Sequence, residues 1–401
     1  MRAFAIILRK GVSLRTMLKK LIPTFAALIT MLSLVAGAVG CARGGEITIG
    51  AVMDFTGVLS GMAPDIRDSA LMAVNEINAA GGINGKKLRL VVEDGATDPT
   101  TGLEAVKNLV EANGVKVIIG PMTASATIAA GPYVGEKKVV LISPSATSPL
   151  IANQAWRQFV FRTVPLDDFQ GAAMSQLAIE GGYQRAAIIV ADNQYGVGVE
   201  NIVKDRLKDK IQILTSIRYD PTKLDYLTEL QLLKDANPDV VIHCGYSDDS
   251  QVLYKQALQL GLDKAQWITA EGVYSTQTLE MPEAAEFMAK AVIGIKLTAS
   301  GSAYDKFVED FKAEFGHPPG VYADYSYDAV KLAALAIKQA GYKDGAAISS
   351  ALQELGKGYA GVSGTITFAD NGDRLGGIYE VWKVVEEEGQ YNFQRIKVIS
   401  L

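Results

Sequence analysis

The chain has 401 residues, 49% of them hydrophobic and 21% charged, which suits two packed domains and excludes global disorder. The formal charge is −5, but the first 40 residues hold six basic side chains and no acid, so the remainder carries 33 basic against 44 acidic residues. That balance disfavours a nucleic-acid partner, which needs a cationic footprint, and the 2 cysteines and 2 histidines argue against a disulfide framework or a His-rich metal site.

At the N-terminus Arg15, Lys19 and Lys20 precede a largely apolar run from Leu21 to Gly40, followed by Cys41. A basic start, an apolar stretch and small residues Ala36 to Gly40 predict a cleaved secretory signal over residues 1–40 rather than a membrane anchor. Ala38-Val39-Gly40-Cys41 resembles the bacterial lipobox, which makes Cys41 the expected lipidation site and first mature residue. Met17-Leu-Lys-Lys20 is itself a complete basic start, so residues 1–16 read as a surplus extension. No second apolar run of membrane length follows.

The rest of the chain alternates strand-like and helix-like stretches. Ile47–Met53 reads as a buried strand. A helix follows over Ile66–Ala80, with Asp65 as its expected cap, and Gly81 to Gly85 stops it. Leu88–Val92 is a strand, Thr101–Asn113 a helix, and Val115–Ile119 and Val139–Ile142 are strands. A second series begins with strand Ala186–Ala191 and helix Val197–Lys208. It continues with strand Ile211–Ile217, helix Leu227–Ala236, strand Val240–Cys244, helix Ser250–Leu260 and the short strand Trp267–Thr269. Helices near Tyr304–Phe315, Tyr325–Ala340 and Ala346–Leu355 precede strands near Thr365–Phe368 and Ile378–Val385. Two such series predict an α/β protein with two doubly wound parallel-sheet lobes.

Enzyme signatures fail on inspection. Gly81 to Lys86 follows a helix and lacks phosphate-loop spacing, so it reads as a turn. Gly196-Val-Gly198 has no third glycine where a dinucleotide fingerprint needs one. His243 and Cys244 lie in an apolar strand and read as structural, and His317 sits beside Pro318-Pro319. No catalytic residue, cofactor or metal is expected.

Strand ends are more informative, because ligands of open parallel sheets bind beyond them. Gly120-Pro-Met-Thr-Ala-Ser-Ala-Thr127 and Ser143-Pro-Ser-Ala-Thr-Ser148 are small, hydroxyl-rich loops, each expected to lead into a helix whose N-terminus suits an anion. In the second series Tyr195, Tyr246 and Glu271 follow strands. Anion contacts on one lobe and a carboxylate on the other predict a zwitterionic α-amino acid as ligand.

These features together resemble the type I periplasmic binding proteins, in particular the branched-chain amino-acid (leucine/isoleucine/valine) binding family of ABC importers. The resemblance spans residues 46–401. It rests on Ala73-Val-Asn-Glu-Ile-Asn-Ala-Ala-Gly-Gly-Ile-Asn-Gly85, Gly120-Pro121, Ile142-Ser-Pro-Ser-Ala-Thr-Ser-Pro149, Asp192-Asn-Gln-Tyr-Gly196, Ala270-Glu-Gly272 and Tyr327-Asp-Ala329. It implies a site built from Ala124, Ser125, Ser145, Ala146, Thr147, Tyr195, Tyr246 and Glu271. Glu271 matches the carboxylate that pairs with a ligand ammonium. Thr147 would act through its hydroxyl and backbone, and Ser145 through its carbonyl. Two departures stand out: Ala124 falls where the family usually has a carboxylate-binding Ser, and Met62 where an aromatic often lines the side-chain pocket.

The resemblance also implies lobes of residues 41–166 plus 298–375 and 167–297 plus 376–401. Closure on the ligand and delivery to ABC permease subunits would follow, by a monomer held at the outer face of a membrane through its lipid. A receptor of the same fold that senses an amide, urea or small carboxylate is the alternative.

Overall fold

The expected strand runs become buried parallel strands in the computed structural model, which describes residues 45–152 and 154–401. The leader and Cys41 lie outside the described residues. Strands β1 (Glu46–Met53), β2 (Lys87–Asp94), β3 (Val117–Ile119), β4 (Val140–Ser143) and β5 (Val160–Arg162) form one sheet in the order β2-β1-β3-β4-β5. Every pairing in it is parallel. Successive side chains of a strand point to opposite faces. Accordingly Val52 and Ile118 pack with Val106, Leu109 and Val134 of helices α2 (Pro99–Asn113) and α3 (Ala124–Lys137). Their neighbours Ala51, Met53, Val117 and Ile119 join the core formed with α1 (Ala63–Ala79).

The second series repeats this plan. Helices α4 (Asp167–Glu180), α5 (Gln194–Leu207), α6 (Leu227–Ala236), α7 (Ser247–Gln259) and α8 (Pro282–Ala291) accompany β6 (Arg185–Ala191), β7 (Gln212–Tyr219), β8 (Val240–Cys244), β9 (Gln266–Thr269) and β10 (Val292–Leu297). These strands are parallel in the order β10-β9-β8-β6-β7, the same 2-1-3-4-5 winding as the first sheet. All five residues of β8 are buried, as expected of a central parallel strand covered on both faces. After α9 (Ser302–Phe315), α10 (Ala323–Ala340) and α11 (Gly345–Leu355) come a small hairpin, β11 (Lys357–Gly361) with β12 (Gly364–Thr367), and then β13 (Ile378–Glu387) and β14 (Gln390–Ser400). The last two add an antiparallel edge to the second sheet beyond β10.

The chain therefore passes between the sheets after β5, after β10 and before β13. These passages are stitched together. Pro165 bridges to Arg374, and Thr298 N–H donates to the Ile378 carbonyl at 2.9 Å. Arg374 reaches the Thr163 carbonyl at 2.8 Å, and Arg162 donates to Asp373 at 2.6 Å. Residues 46–401 form one compact unit.

Two local expectations are corrected. Helix α1 starts at Ala63 with Pro64 in its first turn, a position that needs no N–H, and Asp65 is not its cap. The Asp65 carboxylate instead accepts the Gly320 N–H at 2.7 Å. The loop Ser143–Ser148 leads not to an α-helix but to a single 3₁₀ turn, Pro149–Ile151, capped by Ser148.

Candidate functional site

In a 2-1-3-4-5 sheet the first and third strands carry their crossover helices on opposite faces, so a crevice opens beyond their carboxyl ends. Both sheets turn that crevice toward one cavity. It is lined by Leu59 and Met62 after β1, Met122, Thr123 and Ala124 after β3, and Ser145 and Thr147 after β4. The second sheet contributes Tyr195 after β6, Tyr246 after β8 and Gly272 after β9, and Tyr322 closes the cavity from the start of α10.

On the first wall, Thr123 caps α3 by accepting the Ala126 N–H at 3.2 Å. Ala124 is the first residue of that helix, so its N–H has no intrahelical partner and the positive end of the helix dipole faces the cavity there. Gly120 makes this approach possible. It has φ 99°, and a Cβ at that position would stand 2.4 Å from the Val52 carbonyl oxygen. The Ser145 hydroxyl is committed to the Met122 carbonyl at 3.0 Å and ties the two loops together. Thr147 takes the Asp167 N–H on its carbonyl at 3.0 Å.

On the second wall the Tyr195 and Tyr246 rings pack with centroids 5.5 Å apart. The Asn193 amide donates to the Tyr246 hydroxyl at 3.0 Å, and the Tyr195 hydroxyl donates to Gln170 Oε1 at 2.9 Å. A Cβ at Gly272 would lie 2.4 Å from the Gly245 carbonyl and 3.5 Å from the Tyr195 ring, so only glycine keeps this wall open. Glu271 begins the 3₁₀ turn after β9 and is fully buried beside Gly272 and Tyr322 rather than on the lining itself. Its Oε1 accepts the Tyr322 hydroxyl at 2.6 Å and the Gln170 amide at 3.0 Å, while Oε2 has no partner. Burial pushes its carboxyl up to about 7, against the pull of hydrogen bonding from Tyr322 and from the Leu297 N–H.

Five of the eight ligand-binding residues expected from sequence, Ala124, Ser145, Thr147, Tyr195 and Tyr246, line this cavity. Ser125 does not; it lines an adjoining groove with Asp192, Asn193 and Thr222, which shares Thr123 and Tyr246 with the cavity. Ala146 does not either; it is buried in the core, and its carbonyl accepts from Arg162 at 3.0 Å. The expectation that a helix start reinforces Thr147 fails with the 3₁₀ turn, which leaves α3 as the anion-favouring helix end. The sequence reading missed Leu59, Met122, Thr123, Gly272 and Tyr322. Met122 and Thr123 lay within a loop already singled out, and Gly272 adjoined Glu271. Tyr322 carried only the weak signal of a tyrosine between Gly320 and a helix. His243 is structural: its ring nitrogens meet the Tyr254 hydroxyl at 2.8 Å and the Tyr219 hydroxyl at 3.1 Å, and burial pulls its pKa to about 3.

Comparison with known proteins decides the family, because a family model described as periplasmic binding protein matches residues 46–388. The chain is a periplasmic binding protein. It is 30% identical over 380 residues to the Leu/Ile/Val-binding protein homolog 1 of Brucella abortus, an alignment covering 91% of this chain and 98% of that one. Among solved structures it resembles the branched-chain amino acid transporter substrate binding protein of Streptococcus pneumoniae in complex with isoleucine. The TM-score is 0.76 at 24% identity, over 88% of this chain and 100% of the other. It also resembles a solute binding protein of an ABC transporter from Rhodopseudomonas palustris in complex with 3,4-dihydroxybenzoic acid. There the TM-score is 0.76 at 23% identity, over 88% and 97% of the two chains. This type I periplasmic binding protein thus belongs to a family of extracytoplasmic solute binders. None of its described helices is long and apolar enough to cross a membrane.

Proposed function

We propose that this binding protein is a lipid-anchored receptor that captures a small aliphatic α-amino acid between two lobes, residues 41–166 plus 298–375 and 167–297 plus 376–401. Closed on its ligand, it delivers the amino acid to an ABC importer permease, without catalysis. The observation that carries this reading is the unpartnered Oε2 of buried Glu271, beside the lining residues Gly272 and Tyr322, in a cavity that also receives the N-terminus of α3. A buried carboxylate lacking a partner is costly unless a cation or donor reaches it, and a ligand ammonium supplies both. The ligand carboxylate meets the free N–H groups of α3 and the Thr147 hydroxyl. Leu59, Met62 and Met122 surround its aliphatic side chain, and methionines adapt readily to branched or straight chains. Contacts from both sheets favour the closed form through differential affinity.

A benzoate-type ligand, as in one structural neighbour, would bring a second anion to the Glu271 side of the cavity and leave that oxygen unmet. A thermal-shift panel of leucine, isoleucine, valine, 4-methylpentanoate, leucinamide, urea and benzoate tests the choice. A ligand at 100 times its Kd stabilises by about 2.7 kcal/mol. The proposal expects the free amino acids to raise the melting temperature and the others not to. Stabilisation by benzoate, urea or the amide alone would overturn it in favour of a sensor or an aromatic-acid carrier.

A further inference from the structure

Behind the cavity, two carboxyl groups share one amide. Gln170 Nε2 donates to Asp167 Oδ1 at 2.8 Å and to Glu271 Oε1 at 3.0 Å. Gln170 Oε1 accepts from the Tyr195 hydroxyl at 2.9 Å and from the Glu271 N–H at 3.3 Å. Asp167, Gln170 and Glu271 are each 0% exposed. Each carboxyl keeps one oxygen, Asp167 Oδ2 and Glu271 Oε2, without a hydrogen bond of normal geometry, while the Thr147 hydroxyl and the Leu297 N–H stand near the pair and favour its ionised form. The other ionisable groups that act on the pair are Arg162 of β5, Asp168 of α4, Tyr195 of α5, Cys244 of β8, Tyr246 before α7, Tyr322 before α10, Tyr325 of α10 and Tyr379 of β13. Arg162 is the one cation among them; Asp373 and the carbonyls of Ala146 and Ser148 engage its Nε and Nη1, while Nη2 has no partner. Two buried carboxyls so placed resist ionising together.

We propose that Asp167 is a second anionic determinant of the ligand site, coupled to Glu271 through Gln170, and that the pair holds a proton in the empty cleft which the ligand's ammonium displaces. No covalent bond to the ligand changes. The proton leaves a carboxyl oxygen for solvent, and the ammonium takes its place against the two unpartnered oxygens. The same arrangement penalises a ligand that has a carboxylate but no amine. The titration directions agree. Burial first, and then the Glu271 charge, hold the Asp167 carboxyl well above its usual range, while Thr147 and Arg162 act the other way. Two interacting buried carboxyls of this kind titrate as a unit.

This inference rests on the amino-acid reading of the site, and calorimetric titration of leucine separates the two. Titrations at pH 8 in buffers of different ionisation enthalpy count the protons released. The wild-type protein is expected to release about one per leucine bound, which corresponds to an affinity rising about tenfold per pH unit in this range. Asp167→Asn keeps an acceptor for Gln170. It is expected to release none at pH 8, to flatten the pH profile, and to narrow the preference for leucine over 4-methylpentanoate by about tenfold. Failure of every amino acid to bind would sink the functional reading. Leucine binding without proton release by the wild type would overturn this inference alone, and that measurement needs no variant to fold. An Asp167→Asn protein that loses melting temperature but keeps the proton count and pH profile would show the residue to be structural only, and would overturn it too.

Discussion

Replacing Glu271 by Gln should move binding and stability in opposite directions. In the empty protein Glu271 is fully buried with one oxygen unpartnered, and its carboxyl is raised from 4.5 to about 7. The linkage sign follows from that rise. A carboxyl whose folded pKa lies above its unfolded value is no burden below pH 4.5, becomes progressively destabilising up to about pH 7, and imposes a constant cost above it. A rise of that size, at 1.36 kcal/mol per unit, makes the ionised carboxylate a cost of roughly 3 kcal/mol at pH 8. Gln keeps acceptors for Tyr322 and Gln170 and never ionises, so the empty variant should be more stable than wild type at pH 8 by up to about that amount. The advantage should vanish near pH 4. Binding should suffer instead. Removing one partner of a desolvated, hydrogen-bonded charge pair costs about 2–5 kcal/mol, which is roughly 30-fold to several thousandfold in Kd. Urea denaturation of the empty protein at several pH values, with calorimetric titration of leucine at pH 8, reads both effects. A variant that binds leucine as tightly as wild type, or whose empty form is less stable at pH 8, would refute the argument.

Thr147→Ala should weaken leucine binding by about 1 kcal/mol, since the backbone donors of α3 remain, and a loss as large as that of the Glu271 variant would mean the carboxylate contacts are misassigned. Gly272→Val should lower the melting temperature and abolish leucine binding, because a Cβ there meets the Gly245 carbonyl oxygen at 2.4 Å and forces this wall to shift; unchanged stability and affinity would show that this wall is not part of the site. Asp373→Ala leaves Arg157 and Arg162 buried without their shared anion and should cost about 3–5 kcal/mol in denaturant unfolding, whereas a loss below about 1 kcal/mol would contradict the tight stitching of the passages. Cys41→Ser should shift the protein from the membrane to the soluble fraction of a bacterial host; an unchanged distribution would rule out lipid anchoring at that residue.

How much of this was legible depends on where the physics is local. Strands such as β6 and β8 are apolar on both faces because helices cover both, and that pattern survives in a single sequence. Strand β14 does not announce itself. It is an edge strand whose residues, Arg395 and Lys397 among them, are largely exposed, so no burial pattern marks it. Helix α4 buries the polar residues Asp167, Gln170 and Ser175 along with apolar ones, which erases the expected periodicity. Strand-end residues such as Tyr195 and Tyr246 could be named in advance because the parallel-sheet rule states where a strand must present them. Asp167, Gln170 and Tyr322 could not, since their roles arise only when α4 and α10 converge on the turn after β9. Thr147 was placed correctly in the cavity but given the wrong support, because Pro149 starts a 3₁₀ turn as readily as a helix.

Calorimetric titration of the wild-type protein at pH 8 with leucine, and in parallel with 4-methylpentanoate, which differs only in lacking the amine, tests the central claim most directly. The account predicts saturable one-to-one binding of leucine, and affinity for 4-methylpentanoate weaker by the worth of the Glu271–ammonium contact, about 30-fold or more. Equal affinity for the two ligands, or binding of the acid alone, would contradict it.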